Sequence, residues 1–287
     1  MKSNFGIAGV QMAVSAFESN VEVMGNYLRH IRTRFPWVRM VMFSELAPLG
    51  PKHDRAEPIP GPAVARLSEL ARETGLWLIP GSLFERVEGP DGAVVYNTTP
   101  VIDPSGEVIA CFRKLFPFRP YERGVEGGTE FCVFDVPDAG RIGVSICYDM
   151  WFPETTRTLA AMGAEVILHP TMTDTIDRDV ELAIARASAA QNQVYFFDIN
   201  GVGDGGVGRS IVCDPSGYVL HQADGGTEII PIAVDFERVR RERECGLRNL
   251  GQPLKSFRDR NCDFPVYRKE SHDFPYLGTL GPLTKPD

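Results

Sequence analysis

Arg141-Ile142-Gly143-Val144-Ser145-Ile146-Cys147-Tyr148-Asp149 reads as a buried strand that carries a thiol at its carboxyl end. Ile142, Val144 and Ile146 alternate with the two-residue period of a strand. Phe152-Pro153-Glu154-Thr155 then opens a helix, with proline early, where its missing N–H does no harm. Open α/β sheets place ligands at the carboxyl ends of strands, where backbone N–H groups can face a developing anion. That is a nucleophile's position, although a free cysteine is also commonly a small buried apolar residue. Two further strands end in the same way. Met40-Val41-Met42-Phe43-Ser44-Glu45 runs apolar into a carboxylate, and Glu107-Val108-Ile109-Ala110-Cys111-Phe112-Arg113-Lys114 runs into an ammonium. Either charge alone reads as a solvated strand end. A thiol, a carboxylate and a cation at three strand ends make a set.

The elements that must position them alternate between strand and helix. After a first strand, Phe5-Gly6-Ile7-Ala8-Gly9-Val10-Gln11, Asn20 can cap a helix whose Val21, Met24, Leu28 and Ile31 share one face. Val64, Leu67, Leu70 and Ala71 mark a second helix, stopped at Gly75. Strands are expected over 77–84 and 93–102, joined through Gly89-Pro90-Asp91-Gly92. Beyond the cysteine come a helix to about Met162, a strand over 165–169 and a long helix over 179–193. Strands over 194–200, 208–213, 218–222 and 229–235 complete the pattern. Asp103-Pro104-Ser105-Gly106 recurs as Asp214-Pro215-Ser216-Gly217, either a favourable turn used twice or the mark of two duplicated halves. The glycine-dense Gly201-Val202-Gly203-Asp204-Gly205-Gly206-Val207-Gly208 is followed by no obvious helix and reads as a flexible loop over the pocket mouth, not a nucleotide cradle.

Composition narrows the function classes. The 287 residues can bury a large core, and 43% hydrophobic with 24% charged residues is ordinary for a globular protein. A net charge of -8 argues against nucleic-acid binding, which needs a basic patch. No segment approaches the roughly 20 apolar residues that span a membrane. Met1-Lys2-Ser3-Asn4 leads directly into the first strand and not into a signal peptide. Six scattered cysteines without a CxxC pair point to neither a disulfide framework nor a zinc site, so a reduced, cytoplasmic protein is expected, with no metal and no cofactor.

Three separated segments together resemble the nitrilase superfamily of carbon–nitrogen hydrolases. They are Phe43-Ser44-Glu45-Leu46-Ala47-Pro48-Leu49-Gly50, Phe112-Arg113-Lys114, and Cys147-Tyr148-Asp149-Met150-Trp151-Phe152-Pro153-Glu154, and the likeness runs from about Phe5 to Asp235. The resemblance implies a four-layer α-β-β-α sandwich of two mixed sheets packed face to face. It implies a Glu45–Lys114–Cys147 triad, with Cys147 as nucleophile, Glu45 as general base and Lys114 as the cation for the oxyanion. Glu122, eight residues beyond Lys114, matches the second glutamate of the amidase branches. Tyr148, Trp151 and, more weakly, Thr171 with Met172 are expected at the pocket wall. His169, at a strand end, keeps a Cys–His dyad open as the other mechanism.

The residue after the nucleophile is Tyr148, not the tryptophan of true nitrilases, which favours an amide over a nitrile. Leu115-Phe116-Pro117-Phe118 resembles aliphatic amidases and formamidases, while the segment around Cys147 also resembles N-carbamoyl hydrolases. A small amide, or an N-carbamoyl amine or amino acid, is therefore the expected substrate. An acyltransferase and an idle scaffold that binds a partner remain as other readings. Residues 1–260 are expected to form the hydrolase domain and 261–287 an irregular tail at the interface of a homo-oligomer.

Overall fold

Two mixed sheets stack face to face, each built around three parallel strands. The first runs Glu228–Val234, Phe5–Gln11, Val38–Phe43, Trp77–Ile79, Gly92–Ile102 and Leu83–Gly89, with Val108–Arg113 and Val125–Glu126 also paired to Gly92–Ile102. The second runs Val219–Gln222, Ile211–Cys213, Tyr195–Asn200, Val166–Thr171, Gly140–Val144 and Cys132–Val136. In each sheet the central strands pair in parallel and the flanking ones antiparallel, except the short Val125–Glu126, which pairs in parallel with Gly92–Ile102. The computed structural model describes residues 4–90, 92–267 and 274–284. Residues 1–3, Asp91 of the Gly89–Gly92 connection and parts of the 261–287 tail lie outside the described residues.

Side-chain alternation assigns the layers. Ile7, Met40, Met42 and Ile79 of the first sheet meet Ile142, Val144, Leu168 and Phe197 of the second in one buried core. Residues of opposite parity, Ala8, Val10, Val41 and Phe43, turn outward onto the helices Val21–Arg34 and Pro62–Thr74. Ile167 and Phe196 likewise meet the helices Pro153–Ala161 and Asp177–Asn192. The result is the α-β-β-α sandwich. Each large apolar side chain so buried contributes about 1.5–3 kcal/mol.

The halves repeat one another. Each has strand, helix, strand, helix, strand and then a hairpin closed by the Asp-Pro-Ser-Gly turn, the first half carrying the additional strand Leu83–Gly89 before its hairpin. The turns match bond for bond. Asp103 Oδ1 accepts from the Ser105 and Glu107 amides at 2.8 and 3.0 Å, and Asp214 Oδ1 from the Ser216 and Tyr218 amides at 2.9 and 3.0 Å.

Several expectations are corrected. The strand expected over 77–84 is broken between Ile79 and Leu83, because Gly81 adopts φ +78 where a Cβ would strike the Ser44 carbonyl. Asn20 stands at the helix start but its side chain bonds Ser15, through Oδ1 to the Ser15 amide and Nδ2 to its carbonyl, 3.0 Å each. The strand Cys132–Val136 escaped the sequence reading, as did the helix Phe236–Cys245, which Asp235 caps by accepting from the Arg238 amide. The glycine-dense segment does not roof the pocket. Its Val202–Gly203 pairs with Ala13–Val14, and the Val207 amide donates to the Thr173 carbonyl at 3.0 Å, so it braces the wall from behind.

Candidate active site

The three strand ends converge at one edge of the sandwich. Glu45 follows Val38–Phe43 in a turn where Leu46 takes φ 54 and its amide donates to Ser82 Oγ at 3.1 Å. The Glu45 amide donates to the Thr171 carbonyl at 3.2 Å, which ties the base loop of one sheet to a strand of the other. Lys114 follows Val108–Arg113 directly, and its amide donates to the Asn97 carbonyl at 2.8 Å. Cys147 lies three residues beyond Gly140–Val144 and opens the short turn Cys147–Trp151. Its φ of 44 lies in the left-handed region, a conformation that non-glycine residues hold only when surroundings impose it and that clusters at functional sites. Asp149 imposes it here: one carboxylate oxygen accepts from the Ile146 amide and the other from the Phe116 amide, both at 2.9 Å. The second bond also fastens the turn to the loop that follows Lys114.

The side chains meet with short separations and almost no exposure. Lys114 Nζ donates to Glu45 Oε1 at 2.9 Å and to Glu122 Oε2 at 2.7 Å, and Lys114 is 1% exposed. Glu122 Oε2 also accepts from the Phe118 amide at 2.6 Å, so the glutamate is fixed within its own loop. Asn97, absent from the sequence reading, donates to both glutamates, to Glu45 Oε1 at 2.8 Å and Glu122 Oε1 at 3.1 Å. Cys147 Sγ lies 4.0 Å from the Met172 carbonyl oxygen.

Burial and mutual charge set the protonation states. Burial raises the Glu45 carboxyl above the usual carboxylate range, only partly countered by the Lys114 charge. Burial also pushes the Cys147 thiol well above its ordinary value, reinforced by the Glu45 charge, so the resting sulfur is a neutral thiol. Burial disfavours charge on Lys114 as well, but the charges of Glu45 and Glu122 outweigh it and hold the ammonium charged. Glu122 is pulled below the usual range, because Lys114 overcomes its desolvation. The cluster therefore holds a firm ammonium, a firm carboxylate at Glu122 and a more basic carboxylate at Glu45.

These groups floor a cavity of about 410 Å³. Tyr148 and Trp151 line it, together with Phe118 and Tyr121. Phe118 stacks on Tyr121 at 5.0 Å and tilts against Tyr148 at 4.9 Å, giving one continuous aromatic wall. Met172 to Asp174 form part of the opposite wall, with Asp177 and Glu181. Thr171 does not reach the cavity. The strand runs on to Thr171, and its parity turns that side chain to the helix side, where its hydroxyl donates to Asp198 Oδ1 at 2.7 Å. Asp198 is in turn bonded by the buried Arg178, at 2.8 Å, which also holds Glu181 at 3.1 Å. His169 shares that side: Nδ1 lies 2.7 Å from Ser145 Oγ, and burial pushes its pKa down to about 4, leaving it a neutral support under the cysteine turn. Asn97 has one sequence signal, a polar residue amid the strand Gly92–Ile102, and its neighbours Thr98 and Thr99 share that signal.

Comparison with known proteins places the chain in a family. Residues 6–244 match the sequence profile of the carbon–nitrogen hydrolases. Over 271 residues the chain is 30% identical to a formamidase of Bacillus cereus strain Q1, covering 87% of this chain and 81% of that one. A Saccharomyces cerevisiae member of branch 10 of the nitrilase superfamily superposes with a TM-score of 0.76 at 26% identity, over 84% of this chain and 94% of the other. A carbon–nitrogen hydrolase of Helicobacter pylori G27 shares the fold at 23% identity, with a TM-score of 0.76 over 92% and 97% of the two chains.

Proposed function

The chain belongs to the carbon–nitrogen hydrolase family, and from that membership we propose that it hydrolyses a small amide to the carboxylic acid and ammonia through a thioester on Cys147. The observation that carries the reading is the buried Lys114 ammonium clasped between Glu45 and Glu122 beside the Cys147 thiol, at the floor of the cavity. As the thiol is neutral at rest, attack and deprotonation go together: Glu45 takes the proton while Sγ bonds the amide carbon. Two of the three Lys114 N–H donors are engaged by the glutamates, and the third is free for the developing oxyanion, with the Tyr148 amide as second donor. Glu45 returns the proton to the leaving nitrogen, ammonia departs, and the same carboxylate then activates water to cleave the thioester. Glu122 keeps Lys114 charged and in place.

Beyond the reacting groups, the cavity wall carries Asp174 and Asp177, with Glu181 paired to Arg178 behind it, and Lys114 is its one ammonium or guanidinium among the described residues. Like charges across a binding face are costly, which favours neutral amides over carboxylate-bearing N-carbamoyl amino acids. The relative named formamidase supports small aliphatic amides, and the cavity volume leaves room for chains longer than formamide. Ammonia release from simple amides, N-carbamoyl amines and nitriles, with Cys147→Ala as blank, tests the reading. Release from an amide that the blank lacks is expected; silence across all three classes would overturn it.

We further propose a cytoplasmic homo-oligomer in which residues 1–260 form the hydrolase domain and the tail packs on a partner subunit. Exposed Tyr267, Tyr276, Leu277, Leu280 and Leu283 support the tail's part in this, being apolar side chains that a partner would cover. Among the described residues no helix is long and apolar enough to cross a membrane.

A further inference from the structure

We infer that Asn97 is a positioning residue of the reaction, whose single side-chain nitrogen locks both glutamates around Lys114 and reserves one oxygen of Glu45 for the thiol proton. The inference rests on the proposed amide hydrolysis and adds a member to its machinery. Asn97 Nδ2 carries two protons and stands 2.8 Å from Glu45 Oε1 and 3.1 Å from Glu122 Oε1. Lys114 Nζ reaches the same two carboxylates at 2.9 and 2.7 Å. The four groups thus close a ring of charge-assisted hydrogen bonds. Both donors that Glu45 receives fall on Oε1, so Oε2 is left to face the thiol, the substrate and later the attacking water. The amide orientation follows from chemistry, because the reverse would set a carbonyl oxygen against two carboxylates.

Asn97 is well placed to act as a fixed strut. It is fully buried within Gly92–Ile102, which pairs with Leu83–Gly89 on one side and Val108–Arg113 on the other. Its carbonyl also accepts the Lys114 amide at 2.8 Å, so one residue sets both the backbone of the ammonium and the carboxylates around it. Its own Oδ1 is buried without a partner, an arrangement with a desolvation cost that the two carboxylate bonds must offset. The charged and titratable groups facing this ring are Glu45, Lys114, Glu122 and Cys147, with Asp149 and Glu181 acting across the cavity floor.

The test compares Asn97→Asp, which keeps the shape and replaces the donors with a carboxyl group, and Asn97→Ser, which keeps one small donor. For each, kcat/KM on the best amide of the wild-type panel is measured from pH 5 to 9 beside a thermal melt. Hydrogen bonds to charged groups that favour the ionised carboxylates are worth about one pH unit or more. The acid limb is therefore expected to move up by about one unit, more for Asp than for Ser. The defect should be about tenfold or more on the acid limb and shrink as the pH rises beyond it. Profiles that fall by one constant factor at every pH, or wild-type rates in both variants, would overturn the inference. So would loss of folding in both, which would make Asn97 a residue of the fold alone. A wild type inactive on every amide would instead defeat the proposed function itself.

Discussion

Lys114→Met tests whether the site is held by a buried ion cluster. The variant keeps the length and apolar stem of Lys114 but removes the ammonium that lies 2.9 Å from Glu45 and 2.7 Å from Glu122, with Lys114 and Glu45 side chains each 2% exposed. Breaking a buried ion pair from one side costs about 3–5 kcal/mol. At about 2–4 °C per kcal/mol for a chain of this size, the melting temperature should fall by about 6–20 °C. The pH dependence has a definite sign. In the wild type, Lys114 is held above its ordinary value, so its contribution is complete at every pH below about 10 and is lost only above it. Glu122, held below the usual range, contributes above its unfolded value near 4.3 and loses that contribution as pH falls. In the variant both carboxylates lack a cation, so the folded state favours their protonated forms and is penalised as pH rises. The gap to wild type should therefore widen from pH 5 to pH 8, read by calorimetry at each pH. Turnover should drop by about a hundredfold to a thousandfold through loss of the oxyanion donor. Adding Glu122→Gln should return part of the stability and none of the activity. A gap under about 2 °C that does not change with pH would refute the reasoning, since it would place the ammonium in solvent-like surroundings.

Asp149, fully buried, has its carboxyl pushed up to about 7 by desolvation despite its two amide donors. The folded value lies above the unfolded one near 3.9, so its contribution to stability falls as pH rises from about 4 to about 7 and is flat beyond. Asp149→Asn should therefore sit closer to, or above, the wild-type melting temperature at pH 8 than at pH 5; an equal gap at both would contradict this. Thr171→Val removes a donor from buried Asp198 and should cost about 1–3 kcal/mol in a denaturant melt while leaving KM unchanged; a raised KM would return Thr171 to the pocket wall. Trp151→Ala, by cutting back the aromatic wall and enlarging the cavity, should raise kcat/KM for a longer amide relative to formamide by about tenfold, and an unchanged ratio across a chain-length series would remove Trp151 from substrate selection.

Residues at strand ends were the easiest to read. Glu45, Lys114 and Cys147 each interrupt an apolar run, and such a break is visible without any contact map. Glu122 was visible only through its offset from Lys114, because its loop has no period of its own. Asn97 was hidden because it lies inside a strand whose register with its neighbours, not its type, brings it between the glutamates. Thr171 was misplaced by a boundary: ending the strand at His169 frees the next residues as loop, whereas two more strand residues turn Thr171 away from the cavity. The glycine-dense segment misled for a related reason, since glycines that permit flexibility also permit the close approach by which Gly203 and Gly205 lie against Val14. The layered fold followed from the resemblance carried by the three motifs, because strands such as Phe5–Gln11 and Tyr195–Asn200 are buried on both faces and show no polar alternation that would assign the layers. The break at Gly81 was not legible, because the obstacle is the carbonyl of Ser44, far away in sequence.

Hydrolysis by this route passes through a covalent acyl group on Cys147. Rapid acid quench of the protein mixed with its best amide, followed by intact-mass measurement and peptide mapping, addresses it directly. An adduct of the acyl mass on the peptide bearing Cys147, absent from Cys147→Ala, is the expected result. Turnover with no adduct at any time point, or ammonia release by Cys147→Ala, would contradict the account.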